Sequence, residues 1–143
     1  MQLKILAVGD VVAPTGLNYL KTVLPKLKRE KHIDFCVVNG ENAAVLGLLP
    51  QQAEEIFRAG ADVITMGNHT WGKRELVPYI DSTKGILRPA NLPPQQPGIG
   101  WDTFDTLFGQ VAVIDLIGRC AMDYTPDNPF LLVERILPKL HTK

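Results

Sequence analysis

Three apolar runs in this sequence each end on side chains able to hold a cation or meet a phosphate. Leu3–Gly9 runs into Asp10, Phe35–Asn39 into Gly40-Glu41-Asn42, and Val63–Met66 into Gly67-Asn68-His69. Carboxylate and amide oxygens are hard donors suited to divalent cations. An imidazole titrates near neutrality, so it can pass a proton to a leaving group. In an open parallel α/β sheet, ligands bind outside the carboxyl ends of the strands. Neighbouring strands lie only about 5 Å apart. Consecutive strand ends are therefore expected to bring Asp10, Glu41, Asn42, Asn68 and His69 to one crevice.

Each of these residues also has a plainer reading. Asp10 after Gly9 reads equally as a cation ligand and as a helix cap or turn former. Glutamate is not a turn specialist, so Glu41 favours a carboxylate that bridges two cations, with the Asn42 amide oxygen as a neutral ligand. The alternative is a solvated loop leading into Ala43-Ala44. Gly67-Asn68-His69-Thr70-Trp71 is the sharpest segment, because its glycine permits a tight turn and close approach of a ligand. A lone histidine is more often structural, but this one ends a buried strand in step with two other polar strand ends. His32 sits among charged residues on a helix end and His141 in the tail, and both read as bland. Arg88 and Asn91 either reach a phosphate or brace their loop, and Arg119 reads the same way. Trp71 and Trp101 are expected to pack.

The elements that must position these residues follow from periodicity. Leu3–Gly9 is near-continuously apolar, as in a strand buried on both faces. Leu17, Leu20, Val23, Leu24 and Leu27 give a helical stripe over Gly16 to Lys28, with Pro25 as a kink. Phe35–Asn39 is a second strand. A second helix opens at Pro50 and stops at Gly60. Asp62–Met66 is a third strand, and a short helix follows near Lys73–Ile80. This β-α-β-α-β-α order predicts an α/β fold: a mainly parallel sheet with right-handed crossovers and helices on both faces. Residues 88–100 carry four prolines and two glycines and read as an ordered irregular loop. Trp101–Phe108 and Val111–Ile117 read as a hairpin turning at Gly109-Gln110. A last helix opens at Asn128-Pro129, with Phe130, Val133, Ile136, Leu137 and Leu140 on one face.

The totals narrow the class. The chain has 143 residues and is 45% hydrophobic, enough for one domain with a core, here residues 1–143. Fifteen cations balance fifteen anions, so no global field argues for nucleic acid or an anionic membrane. Cys36 and Cys120 form no CxxC pair, and Cys36 reads as a buried thiol in a reducing compartment. The apolar run before Asp10 is too short for a signal peptide, and none nears the ~20 residues of a membrane span. A soluble cytoplasmic protein is expected.

Taken together, ILAVGDVV at 5–12, VVNGENAA at 37–44, ADVITMGNHTW at 61–71, LRPANLP at 87–93, IGR at 117–119 and DNPF at 127–130 carry a resemblance. The chain resembles the calcineurin-type metallophosphoesterases, specifically the YmdB-like branch of bacterial phosphodiesterases. The likeness runs from the first strand to the last helix. It implies half of a metallophosphoesterase α/β sandwich and a binuclear centre of two divalent transition metal ions, iron or manganese. It implies hydrolysis of a small-molecule phosphodiester such as a cyclic nucleotide. By that likeness Asp10 and Asn42 bind one metal, Asn68 the other, Glu41 bridges them, and His69 is the general acid. Cations about 4 Å apart activate the attacking water and clamp the phosphoryl oxygens.

The chain departs from the family pattern in places. Val12 stands where the wider superfamily has a histidine, as this branch leads one to expect. Val45-Leu46-Gly47-Leu48 replaces a more glycine-rich turn, and Pro14-Thr15-Gly16-Leu17 lacks a basic residue often found there. Family members continue further and supply three more histidine ligands. One aspartate, one glutamate and two amides are a thin ligand set for transition metals, which favour imidazole. The chain therefore reads as truncated at the C-terminus: a fragment, a degenerate paralogue, or a half completed by a second chain or a homo-oligomer. The rival function is a catalytically inactive binding module. A metal-free nucleotide-binding domain is disfavoured, because Gly9-Asp10-Val11-Val12 lacks the glycines of a phosphate loop.

Overall fold

Each strand that ends on a candidate residue lies in one sheet, seen in a computed structural model that describes residues 2–140. The strands are β1 (Ile5–Val8), β2 (Phe35–Asn39), β3 (Val63–Thr65) and β4 (Ile86–Leu87), in the order β1-β2-β3-β4 and all parallel. Helices α1 (Ala13–Lys31), α2 (Pro50–Ala59) and α3 (Leu76–Ser82) are the crossovers. The hairpin β5 (Trp101–Thr106) and β6 (Gly109–Ile114) forms a separate antiparallel pair. Helix α4 (Pro129–Ile136) runs into a 3₁₀ turn at Leu137–Lys139. His141, which the sequence reads as bland, lies outside the described residues.

The strand order dictates where the helices go. Strands added in chain order by right-handed crossovers place every crossover on the same side. One core accordingly joins Leu17, Leu20 and Leu24 of α1, Ala53 and Ile56 of α2 and Leu76 and Ile80 of α3 to Cys36, Val38, Ile64 and Ile86 of the sheet. The expectation of helices on both faces is corrected to this extent. The other face of the sheet packs Phe35, Val63 and Leu87 against Val111, with Phe104 and Val113 beside them. Phe35 and Phe104 bring their ring centroids to 5.7 Å. Each such burial contributes roughly 1.5–3 kcal/mol.

Other boundaries shift for physical reasons. β1 is not buried on both faces: it is the sheet edge, and Ile5, in register with Phe35 on the hairpin's face, remains 50% exposed. α1 opens at Ala13, with its proline in the first turn where no N–H is needed. α2 begins at Pro50 and ends on Gly60 at φ 116°, where a left-handed cap favours glycine. α3 starts at Leu76 rather than Lys73, because residues 67–75 fold as turns. β4, unforeseen in sequence, is two residues long. The hairpin turns at Leu107-Phe108, and Gly109 (φ 125°) opens β6 instead of forming the turn. Asn128 caps α4 by accepting from the Phe130 N–H at 3.0 Å. Of α4's expected apolar face, however, only Ile136 is buried, and Phe130 is 80% exposed.

Candidate active site

The loops after β1 and β2 are tied together by backbone. Val11 donates to the Asn39 carbonyl at 3.0 Å, and Ala13 to the Asn42 carbonyl at 2.9 Å. The β2 and β3 ends are joined by Gly40 N–H to Thr65 O at 3.0 Å and by the Asn39 amide to Met66 O at 3.3 Å. Gln52 anchors α2 to the same loop: its oxygen accepts from Leu49 N–H and its nitrogen donates to Ala43 O. Ala13 (φ 59°) and Val45 (φ 69°) flank these loops in left-handed backbone, which costs an L residue about 1–2 kcal/mol. Val45 is where the sequence departs from a glycine-rich turn, and the turn forms regardless.

On this scaffold the five side chains expected to meet form one hydrogen-bonded network. The Asn42 amide nitrogen donates to Asp10 Oδ1 at 2.9 Å. A carboxylate only accepts, so Asp10 fixes the orientation of that amide. Asn42 Oδ1 then faces His69 Nδ1 at 2.7 Å, which makes Nδ1 the proton-bearing ring nitrogen. His69 Nε2 meets the Asn68 amide nitrogen at 3.0 Å. Glu41 Oε2 accepts from the His69 backbone N–H at 3.2 Å and lies 4.0 Å from His69 Nδ1.

Gly67 is the position that lets Glu41 sit there. A Cβ on Gly67 would lie 2.2 Å from Glu41 Oε2 and 2.4 Å from its Oε1. The clash is with the tip of a flexible side chain, so Gly67→Ala is expected to displace the carboxylate and spare the fold. On the reading of the cluster as a cation site, manganese affinity should fall by roughly ten- to a hundredfold, while the urea midpoint barely moves. Parallel metal titration and urea unfolding check this. An unchanged affinity would mean that the position of Glu41 does not matter.

One acidic residue at the site escaped sequence reading. Asp115 follows β6 and is 7% exposed, and its Oδ2 accepts the Met66 N–H at 3.0 Å, one residue before Gly67. Its signal was available: a carboxylate ending the apolar run Val111–Ile114, as Asp10 ends the first. Burial pushes its carboxyl up to about 7, with Glu41 adding to the rise and the Met66 and Leu116 N–H groups opposing it. Between its ordinary value and about 7, the folded chain keeps this proton while the unfolded chain has released it. Stability should therefore fall as pH rises from about 4 to about 7 and level off above that. Asp115→Asn, which still accepts from Met66, should flatten that slope. Urea midpoints across the range check this, and equal slopes would overturn it.

The bracing alternatives are decided by geometry. Arg88 is buried and donates to the carbonyls of Pro97, Pro89 and Gln96. Asn91 is buried and bonds Ile117 twice and the Asp127 carbonyl once. Both hold the proline-rich loop. Arg119 and His32 are exposed. Trp71 packs partly against the core. Cys36 is fully buried and its thiol is pushed up to about 11 by that burial, whereas Cys120 is exposed. No described helix is long and apolar enough to cross a membrane. A cavity of about 800 Å³ lies at the amino-terminal ends of β2, β3 and β4, between Asp34, Asp62, Lys84 and the hairpin tip, and none of the five residues lines it.

The profile of the YmdB-like protein family matches residues 6–143. The chain belongs to that family. A 2',3'-cyclic-nucleotide 2'-phosphodiesterase of Bacillus subtilis is 40% identical over 136 residues, covering 94% of this chain and 51% of that protein. A putative phosphatase/phosphodiesterase of Mycoplasma pneumoniae is 29% identical, covering 96% of this chain and 51% of that protein. A crystal structure of a hypothetical protein from Thermus thermophilus superposes with a TM-score of 0.87 at 30% identity, over 96% of this chain and 54% of that one. A Mycoplasma pneumoniae phosphatase structure gives 0.87 at 28%, over 98% and 52%. The chain thus spans about half the length of the relatives it matches. The α/β fold is the one these structures share.

Proposed function

We propose that this YmdB-like chain carries one half of a two-cation centre that hydrolyses phosphodiesters, with cyclic nucleotides as the substrate class. The observation behind this reading is the single network that joins Asp10, Glu41, Asn42, Asn68 and His69 across three strand ends. The donor set fits iron or manganese in part. Two carboxylates and two amides stand on neighbouring strand ends, but Asn42 turns its amide nitrogen to Asp10 and Asn68 turns its amide nitrogen to His69, so both amides would have to turn to offer oxygen. Among the described residues no three His, Cys, Asp or Glu side chains gather closely enough to hold a metal. Asp10 and Asn42 would hold one cation, Asn68 the other, and Glu41 would offer an oxygen to each. When bound, the cations supply Lewis-acid activation of water and neutralise the phosphoryl oxygens.

This chain's own residues do the rest. Asp10 orients Asn42, and Asn42 holds His69 by Nδ1. That leaves Nε2 as the nitrogen that can carry a proton to the departing oxygen once Asn68 turns its amide away. A second polypeptide would supply the imidazole ligands, and it or another copy of the chain would cover Ile5, Phe130 and Leu137, which are exposed. The test is hydrolysis of bis-p-nitrophenyl phosphate with added Mn²⁺, run beside elemental analysis and light scattering of the same sample. The chain alone should bind metal weakly, turn over little or not at all, and self-associate. Robust turnover by a monomer holding two tight metals would sink the half-site reading.

A further inference from the structure

Beside the cluster lies a cavity of about 540 Å³ to which the proposed two-cation centre gives no role. Asn68 forms part of its wall, and the remainder comes from Trp71, the proline-rich loop and residues 124–127. Its size falls in the range of small-molecule pockets, roughly 300–1,000 Å³. The wall contains no Lys, Arg or His, and Asp127 adds a negative charge. A second phosphate would find nothing there to neutralise it, so an anionic occupant is disfavoured.

The wall's hydrogen bonds narrow the class. The Trp71 indole N–H is spent on Gln96 Oε1 at 3.2 Å, which fixes the ring and leaves its face to pack. With that oxygen taken, Gln96 offers its amide N–H groups. The Asp127 backbone N–H and carbonyl are both tied to Asn91, which leaves the carboxylate as an acceptor. Tyr124 supplies a second aromatic surface. Its hydroxyl is pushed up by burial first and then by Glu41 and Asp123, so the field of Glu41 reaches the cavity. Aromatic faces with one donor and one acceptor suit a nucleobase, which stacks and pairs through its edge.

We propose that this cavity binds the nucleoside portion of a phosphodiester whose phosphate meets the cluster at Asn68. The link to the phosphate rests on reading the cluster as a phosphodiester site, but the cavity can be tested without it. Adenosine, which has no phosphate, is titrated into the ¹⁵N-labelled chain in EDTA while the two tryptophan indole N–H signals are followed. The Trp71 signal should shift and saturate, and that of Trp101 should stay. Inorganic phosphate should leave Trp71 unmoved. Tyr124→Ser, at an exposed position, should weaken binding about tenfold. An unmoved Trp71 signal, or equal binding by Tyr124→Ser, would overturn the proposal. Failure here alongside intact hydrolysis of bis-p-nitrophenyl phosphate removes the cavity's role alone. Adenosine binding without hydrolysis in a completed centre removes only the reading of the cluster.

Discussion

His69→Ala should slow turnover of a nucleoside 2',3'-cyclic phosphate by about 10²–10⁴-fold and leave metal content nearly unchanged. The imidazole is attached to the cluster through Nδ1 and Asn42, so removing the ring takes away a proton donor and not a proposed ligand. The loss should depend on the leaving group. A ribose alkoxide needs protonation as it departs, whereas p-nitrophenolate leaves readily without it. The same substitution should therefore cost much less on bis-p-nitrophenyl phosphate. Glu41→Ala should behave differently, losing metal and activity together on both substrates. The assays use a preparation competent for turnover, for example this chain supplemented with the carboxyl-terminal half of the Bacillus subtilis relative. If His69→Ala lost metal in step with activity, or lost equal rate on both substrates, the imidazole would be a ligand or a brace and not the acid.

The sequence made the site more legible than its frame. β2 and α2 could be read nearly to the residue, because Phe35–Asn39 is a compact apolar run and Pro50 and Gly60 punctuate the helix from both ends. Strand-end logic brought five residues together because parallel strands align their carboxyl ends whatever covers their faces. Burial of β1 was misread for the complementary reason: an apolar run records what a face is made of, not whether another element covers it. α4 shows the same effect at Phe130 and Leu137. β4 has two residues, too few for any period to emerge. The hairpin turn was misplaced because Gly109 needs its positive φ at the first residue of β6, where glycine is not punctuation. Asp115 was passed over because the strand was read through it, as Val111–Ile117, whereas β6 ends at Ile114. Only the fold brings its carboxylate beneath Met66.

Gly100→Ala should be the most damaging single methyl in the chain's loops, costing roughly 3 kcal/mol or more of stability. A Cβ there would lie 2.2 Å from Ala90 Cα and 2.7 Å from Ala90 N. Unlike Glu41 beside Gly67, this obstacle is backbone and cannot swing aside. It is also held from both sides. Ala90 N–H donates to the Asp115 carbonyl at 2.8 Å, and Asp115 N–H donates to the Gly100 carbonyl at 3.0 Å. Relieving the overlap pulls on Asp115, whose side chain shares the Met66 N–H with the Leu87 carbonyl at the root of the Gly67-Asn68-His69 turn. Structural damage should therefore reach the site. The Met66 amide, still donating to the Leu87 carbonyl, should lose part of its hydrogen-exchange protection. On the proposed reading of the cluster as a cation site, metal affinity should drop with stability, the opposite of the separation expected for Gly67→Ala. Gly118→Ala is the control, since a Cβ there meets nothing within 4 Å, and its urea midpoint should stay close to that of the parent. A Gly100→Ala chain with the parent's midpoint and an unchanged Met66 exchange rate would show that the crossing of residues 90, 100 and 115 is looser than its geometry and does not brace the Gly67-Asn68-His69 turn.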